Sequence, residues 1–168
     1  ASCDLLRETN ATFPLIIGAY IAYEPNADGQ DAAALKSDST PREAMDAAGR
    51  FVPFWIDSSG TAVLRPRIGM ESMEFYLGPK KEFARTGKPS ALVTEPFVKG
   101  GELMVSHTFP LVIQGKFAGV TGVDRNLGSI ADLAADIKSR LGTDVFILSA
   151  EDRFIAATTE AAAPSTGA

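Results

Sequence analysis

The sequence predicts an α+β domain built around a central antiparallel sheet flanked by helices, and three observations carry that prediction. Two β-rich runs, Arg50 to Ile56 and Thr61 to Arg65, flank the turn Asp57-Ser58-Ser59-Gly60, where Gly60 suits a positive φ and a hairpin is the natural reading. Three further runs, Ala91 to Val98, Glu102 to Ile113 and Lys116 to Asp124, are separated by Gly100-Gly101 and Gln114-Gly115, as in a meander. Strands do not alternate with helices, and no phosphate-loop glycine pattern follows any strand, which excludes the βαβ nucleotide-binding folds.

The remaining elements follow in order. Residues 2 to 12 are polar and helix-compatible, and Pro14 ends that segment. Leu15 to Glu24 is rich in Ile and Tyr and predicts a strand. Glu24 to Gly29 carries turn chemistry, because proline presets φ while Asn, Asp and Gly tolerate tight backbone angles. Ala32 to Ala48 predicts short helix and loop, and Met70 to Phe83 a helix that turns irregular at Gly78-Pro79. Apolar residues at Ile130, Leu133, Ala134, Ile137 and Leu141 recur at helical spacing, with Ser129 as cap and Gly142 as stop. A last hairpin pairs Asp144 to Ser149 with Arg153 to Ala157, and Thr159 to Ala168 reads as a frayed tail.

Composition narrows the function classes. The chain has 168 residues, 45% hydrophobic and 22% charged, enough to bury a core without staples. Sixteen basic against 21 acidic residues leave a net charge of −5, and the basic residues are scattered apart from Lys80-Lys81. No cationic stripe exists for phosphates to track, so nucleic acid is not an expected partner. A single cysteine, Cys3, and a single histidine, His107, exclude an intramolecular disulfide and the usual zinc and iron sites. The longest apolar stretch, Ala11 to Tyr23, holds Pro14 and Gly18 and is too short to span a bilayer.

Three arrangements invite a chemical reading. Ser106-His107 suggests a hydrolase, but neighbours on a strand point to opposite faces and no Gly-x-Ser-x-Gly elbow is present. Asn26, Asp28 and Asp31 crowd an oxygen-rich turn, yet the spacing and terminal Glu of a calcium loop are missing, so a structural turn is expected and no metal site. Asp124 closes the apolar run Phe117 to Val123, where a carboxylate needs a partner, a backbone cap or a ligand. Its simplest role is to cap amides leading into the Ser129 helix. An aromatic box closed by that carboxylate would instead suit a small cationic or zwitterionic ligand.

Six short motifs follow one another along the chain. Ala22 to Asp31 fits a YEPNxxDGxD segment, and Gly49-Arg50-Phe51-Val52-Pro53-Phe54-Trp55 is close to GRFxPYW. Phe75-Tyr76-Leu77-Gly78-Pro79 stands at the place of WYxxP, Thr94-Glu95-Pro96-Phe97 at that of xEPY, and Ser106 to Pro110 at that of an SxxxP strand. Gly119-Val120-Thr121-Gly122-Val123-Asp124 is close to a closing GVxGvD. These motifs, in this order, resemble those of Cache sensor domains in chemoreceptors, histidine kinases and diguanylate cyclases.

The resemblance implies a PAS-like Cache module with five or six antiparallel strands and a preceding helix through which two copies can pair. Residues 1–127 would be the membrane-distal module with its first helix truncated, and 128–141 a connecting helix. Residues 142–168 would begin the membrane-proximal module and end in the tail. The setting implied is periplasmic, on an inner-membrane receptor whose membrane segments lie outside this chain.

The amino-acid motif YxxxxRxWY of that family is altered. Ile68 stands at the first Tyr, Met73 at the Arg that would clamp a carboxylate, and Phe97 at a later Tyr, while Asp124 is kept. The expected ligand is therefore a small metabolite, whether amine, purine-like ring, amino acid or carboxylate. Its expected wall and anchor residues are Trp55, Phe75, Tyr76, Phe97, His107 and Asp124. No catalysis and no cofactor is expected; the alternative is a ligandless dimerisation or protein-interaction module.

Overall fold

The computed structural model describes residues 2–13, 15–58 and 61–159. The chain divides into two compact units, residues 1–94 with 106–124, and residues 95–105 with 125–168.

The first unit opens with helix α1 (Ser2–Thr12) and strand β1 (Ile16–Tyr23). Pro14, expected to end the helix, lies outside the described residues. The Glu24 to Gly29 segment forms the expected turn, with Asn26 at φ 53° and Gly29 at φ 74°. Its acidic side chains tie their own loop: Asp31 accepts from the Asn26 amide at 2.6 Å, and Asp28 from the Gln30 amide at 2.9 Å. Among the described residues no group of His, Cys, Asp and Glu could hold a metal ion. A four-residue helix, α2 (Asp31–Ala34), and a 3₁₀ turn (Arg42–Ala44) fill the stretch before the sheet resumes. Gly49, at φ 87°, closes this loop where a Cβ would lie 2.1 Å from the Asp31 carbonyl oxygen.

Strands β2 (Pro53–Ser58) and β3 (Thr61–Pro66) form the predicted antiparallel hairpin, in register from Pro53↔Pro66 to Ser58↔Thr61. Ser59 and Gly60, the turn residues singled out above, lie outside the described residues. A 3₁₀ turn (Met70–Ser72) leads into helix α3 (Glu74–Thr86). Contrary to the sequence expectation, α3 does not become irregular at Gly78-Pro79 but runs on to Gly87, whose amide donates to the Phe83 carbonyl at 2.8 Å. Proline lacks one helical hydrogen bond here, and that loss is offset because Pro79 is buried on the same face as Phe75 and Tyr76. Gly78 is needed for the contact, since its Cβ would meet Leu92 at 3.0 Å.

Ala91 to Val98 is not one strand but two, β4 (Leu92–Val93) and β5 (Phe97–Lys99), interrupted around Pro96. Thr94 turns the chain there: its hydroxyl oxygen accepts from the Ser106 amide at 2.9 Å, and its amide donates to the Ser106 carbonyl at 3.0 Å. Strands β6 (Glu102–Ile113) and β7 (Lys116–Asn126) meet at a tight turn with Gln114 and Gly115 both at positive φ. The sheet order β3-β2-β1-β7-β6-β4 places the first strand in the middle, so the meander expectation holds only in parts. One face of that sheet packs Tyr20, Val52, Phe54 and Val120 against Met70, Phe75 and Tyr76.

In the second unit β5 pairs antiparallel with the first residues of β6. Helix α4 (Gly128–Leu141) begins one residue before Ser129, which therefore does not cap it; Asn126 Oδ1 instead accepts from the Gly128 amide at 2.6 Å. The helix ends at Gly142 in the left-handed region, as expected. Strands β8 (Phe146–Leu148) and β9 (Phe154–Ala157) form the expected last hairpin. The tail beyond residue 159 lies outside the described residues.

Candidate functional site

Three elements of the first unit bring a charged pair into the core. Pro66 ends β3, and the next residue, Arg67, is fixed by its amide, which donates to the Val52 carbonyl at 2.8 Å. Its side chain then turns inward. Asp124 sits on β7 on the same face as Val120 and Gly122, and Ser106 on β6. Arg67 Nη1 donates to Asp124 Oδ2 at 2.8 Å and Nη2 to Oδ1 at 3.3 Å, a forked pair. The Ser106 hydroxyl donates to the same Oδ1 at 2.6 Å. The pair is nearly dry, with side-chain exposures of 9% for Arg67 and 3% for Asp124. Asp124 is thus not the helix cap that its place at the end of an apolar run suggested.

Aromatic rings close around the guanidinium. Its carbon lies 4.0 Å from the Tyr20 ring centroid, 4.1 Å from Phe75 and 4.3 Å from Phe54. These distances are cation–π contacts, strengthened by the burial of the pair. The floor is backbone: a Cβ on Gly122 would lie 2.4 Å from the His107 carbonyl oxygen and 2.5 Å from the Tyr20 hydroxyl. Glycine is the residue that lets Tyr20 lie across β7 at this point. Two polar atoms inside the cluster have no hydrogen-bond partner, the Tyr20 hydroxyl and Arg67 Nε. Burial pushes the Tyr20 phenol up to about 12; Ser106 and Thr108 lie close enough to ease that shift without meeting hydrogen-bond geometry.

A second polar network begins at the next residue of α3, Tyr76. The Tyr76 hydroxyl donates to Glu24 Oε1, which also accepts from Lys80 Nζ at 2.7 Å. Arg50 Nε donates to the Tyr23 carbonyl, Nη1 to Glu71 Oε1 at 2.5 Å, and Nη2 to the Tyr76 hydroxyl at 3.5 Å. The Tyr76 phenol is raised by burial and by its bond to the Glu24 carboxylate. This network joins the Glu24 turn, Arg50 and α3, and its chemistry is that of a brace.

The six residues expected to line a ligand site are only partly brought together. Phe75 and Asp124 share the Arg67 cluster. Tyr76 is one residue along from Phe75 but is committed to Glu24 and Arg50. Trp55 lies on the opposite face of β2 from Phe54, its indole Nε1 buried and without a partner. His107 is half-buried on the face of β6 opposite Ser106, paired in register with Val93, so the two cannot work as nucleophile and base. Phe97 belongs to β5 in the second unit. The residue missed from sequence is Arg67. Its position just past a strand end, in the charged run Arg65-Pro66-Arg67, is a weak signal, and its partner is 57 positions away.

No family profile matches the chain. The methyl-accepting chemotaxis protein TlpQ of Pseudomonas aeruginosa is 32% identical over 148 residues, covering 78% of this chain and 20% of TlpQ. The extracellular domain of mmHK1S-Z2, assigned as a histidine kinase, superposes with a TM-score of 0.80 at 31% identity, over 95% of this chain and 57% of that domain. The chain has the fold of the Cache-type sensor domains. Its PAS-like Cache fold is shared by the ligand-binding domain of the Campylobacter jejuni chemoreceptor Tlp3 solved with L-valine, at a TM-score of 0.58, 15% identity, and coverage of 98% of this chain and 54% of that one. This chain spans just over half of the solved domains and a fifth of the curated relative. Among its described residues no helix is long and apolar enough to cross a membrane.

Proposed function

We propose that this chain is the ligand-sensing part of the extracytoplasmic domain of a bacterial transmembrane receptor, of the chemotaxis or two-component type. It performs no catalysis. A small metabolite binds on the sheet face that carries Tyr20 and Phe54, beside the Arg67–Asp124 pair, and shifts the receptor between two conformations by binding one of them better. Residues 1–127 form the distal module of that receptor domain.

One observation carries this reading: a buried carboxylate at the end of the GVTGVD segment, paired with a guanidinium that aromatics surround, next to a phenol and a guanidinium nitrogen that lack partners. Native interiors satisfy such atoms, and those left over mark places where something else is accommodated. Both atoms are donors, so the reading favours a ligand that offers acceptors, such as a carboxylate or a ring nitrogen. Tlp3 holds L-valine on a related fold, which makes an amino-acid-sized ligand reasonable here.

A thermal-shift screen of the chain against amino acids, amines, purines and organic acids tests the proposal, because a ligand that binds only the folded state raises the melting temperature. Any hit is then titrated against Asp124→Asn and Tyr20→Phe. Unchanged affinity in both variants rejects this site.

A second reading, a ligandless interaction module, is favoured by one specific feature. The aromatic enclosure is already filled by Arg67 from the same chain. A screen with no hit supports it.

A further inference from the structure

We infer that the aromatic and carboxylate enclosure is a binding site for a monosubstituted guanidinium whose occupant is the chain's own Arg67, a tethered ligand that external cations must displace. The inference rests on the site proposed above but concerns its Asp124 carboxylate, whereas the metabolite of that reading would meet the two unpartnered donors beside it.

Every group around Arg67 is what guanidinium recognition needs. Asp124 offers two oxygens to two guanidinium nitrogens, and the Ser106 hydroxyl fixes the carboxylate by donating to Oδ1. Tyr20, Phe75 and Phe54 present rings at 4.0, 4.1 and 4.3 Å from the central carbon. Arg50, the other buried arginine with a fork to a carboxylate or phenol, also bonds main chain, through Nε to the Tyr23 carbonyl. Arg67 Nε is buried and has no partner, so the side chain is held by its terminal fork and its faces alone.

The tether is attached at the rim. The Arg67 amide is pinned to Val52, while Ile68 beyond it is 71% exposed and Gly69 turns the chain at φ 71°. Release of the side chain, which the inference requires only when another cation takes its place on Asp124, leaves this backbone where it is. The pair is also formally neutral inside. An external cation that takes Asp124 must expel Arg67 to solvent, since two cations cannot share one buried carboxylate. The free chain's affinity for such a cation is reduced by the fraction of molecules in which Arg67 has left.

The test removes the tether and returns its head. Arg67→Ala deletes the atoms from Cγ onward, which correspond to ethylguanidinium. The expected result is a variant melting several degrees below the parent, whose melting temperature rises saturably with ethylguanidinium in the millimolar range. Ethylammonium, which has the charge without the planar fork, should bind at least tenfold more weakly. The parent should show no saturable response, and Arg67→Ala combined with Asp124→Asn should lose the rescue. Equal responses of parent and variant, or equal responses to the two cations, overturn the inference.

If Arg67→Ala does not fold alone, its recovery on dilution from urea gives the same reading. Folding with ethylguanidinium only sustains the inference; folding with both cations alike, or with neither, overturns it. The outcome is separable from that of the metabolite screen, which uses the parent chain. A rescued variant with no metabolite hit leaves the tethered occupant standing and removes the sensor site. A metabolite hit that depends on Asp124 or Tyr20, without rescue, does the reverse.

Discussion

Two buried tyrosines of the same unit sit beside two arginines and have opposite fates. Tyr76 donates to Glu24 and accepts from Arg50, and its neighbours also hold main chain or reach solvent. Tyr20 lies flat under Arg67 and gives its ring but not its hydroxyl. The first arrangement is closed, with each strong donor matched. The second has spare hydrogen-bonding capacity in a dry place, which is costly unless something uses it. The contrast separates a brace from the proposed site, and it reverses the sequence reading, which names Tyr76 as a binding residue and not Tyr20.

The largest break in that contrast should come from Asp124→Ala. It strands the Arg67 guanidinium and the Ser106 hydroxyl in the interior, and such an uncompensated charge costs about 3–5 kcal/mol. Urea unfolding should show a lower midpoint, and a loss below about 1 kcal/mol would mean that water reaches Arg67. Tyr76→Phe should cost less, about 1–2 kcal/mol, because it leaves Glu24 and Arg50 short of one bond each but keeps the ring. Tyr20→Phe should change stability by under about 0.5 kcal/mol at neutral pH, since no hydrogen bond is lost. A cost for Tyr20→Phe equal to that of Tyr76→Phe would erase the distinction.

The pH dependence sharpens it further. Burial raises the Tyr20 phenol from its ordinary 10.0 to about 12 in the folded chain. A raised pKa contributes stability that is complete below the unfolded value and lost as pH climbs through the folded one. Stability should therefore fall with alkali between about pH 10 and 12, and in a denaturant-midpoint titration Tyr20→Phe should remove its own share of that fall and leave the share of Tyr76, whose phenol is also raised. Glu71 provides the smallest effect. Its hydrogen bond to Arg50 holds the carboxyl below the usual range, so its contribution is present above about pH 4.5 and fades as pH falls. The carboxylate is mostly exposed, so Glu71→Gln should remove no more than about 0.5 kcal/mol and only slightly flatten the acid limb.

Much of this architecture was legible because local chemistry specified it. Glu102 to Ile113 is delimited by Gly100-Gly101 and Gln114-Gly115, all four at positive φ, and Gly142 stops α4 where helical spacing runs out. Proline was the less reliable guide. Pro79 suggested a break, but apolar burial on one face of α3 outweighs one missing amide. Pro96 suggested nothing, yet the Thr94 to Ser106 bonds divide the predicted strand beside it. The site was half legible. Asp124 stood out as a charge in an apolar run, whereas Arg67 did not, because a pairing across 57 positions leaves no periodic trace. Alternation alone foretold that Ser106 and His107 would part company, and the same rule, applied to Phe54 and Trp55, would have removed Trp55 from the list.

Gly122 sets the terms on which this enclosure could be redesigned. Its missing side chain puts main chain on one side, against the Tyr20 hydroxyl, so nothing can be added there without displacing β6 or that ring. Under the proposed reading, selectivity is thus set from the other sides, through the identities at 20, 54 and 75 and the length of the arm at 67. A library varied at those four positions would reshape what the enclosure accepts, while one varied along β7 would mostly yield chains that do not fold.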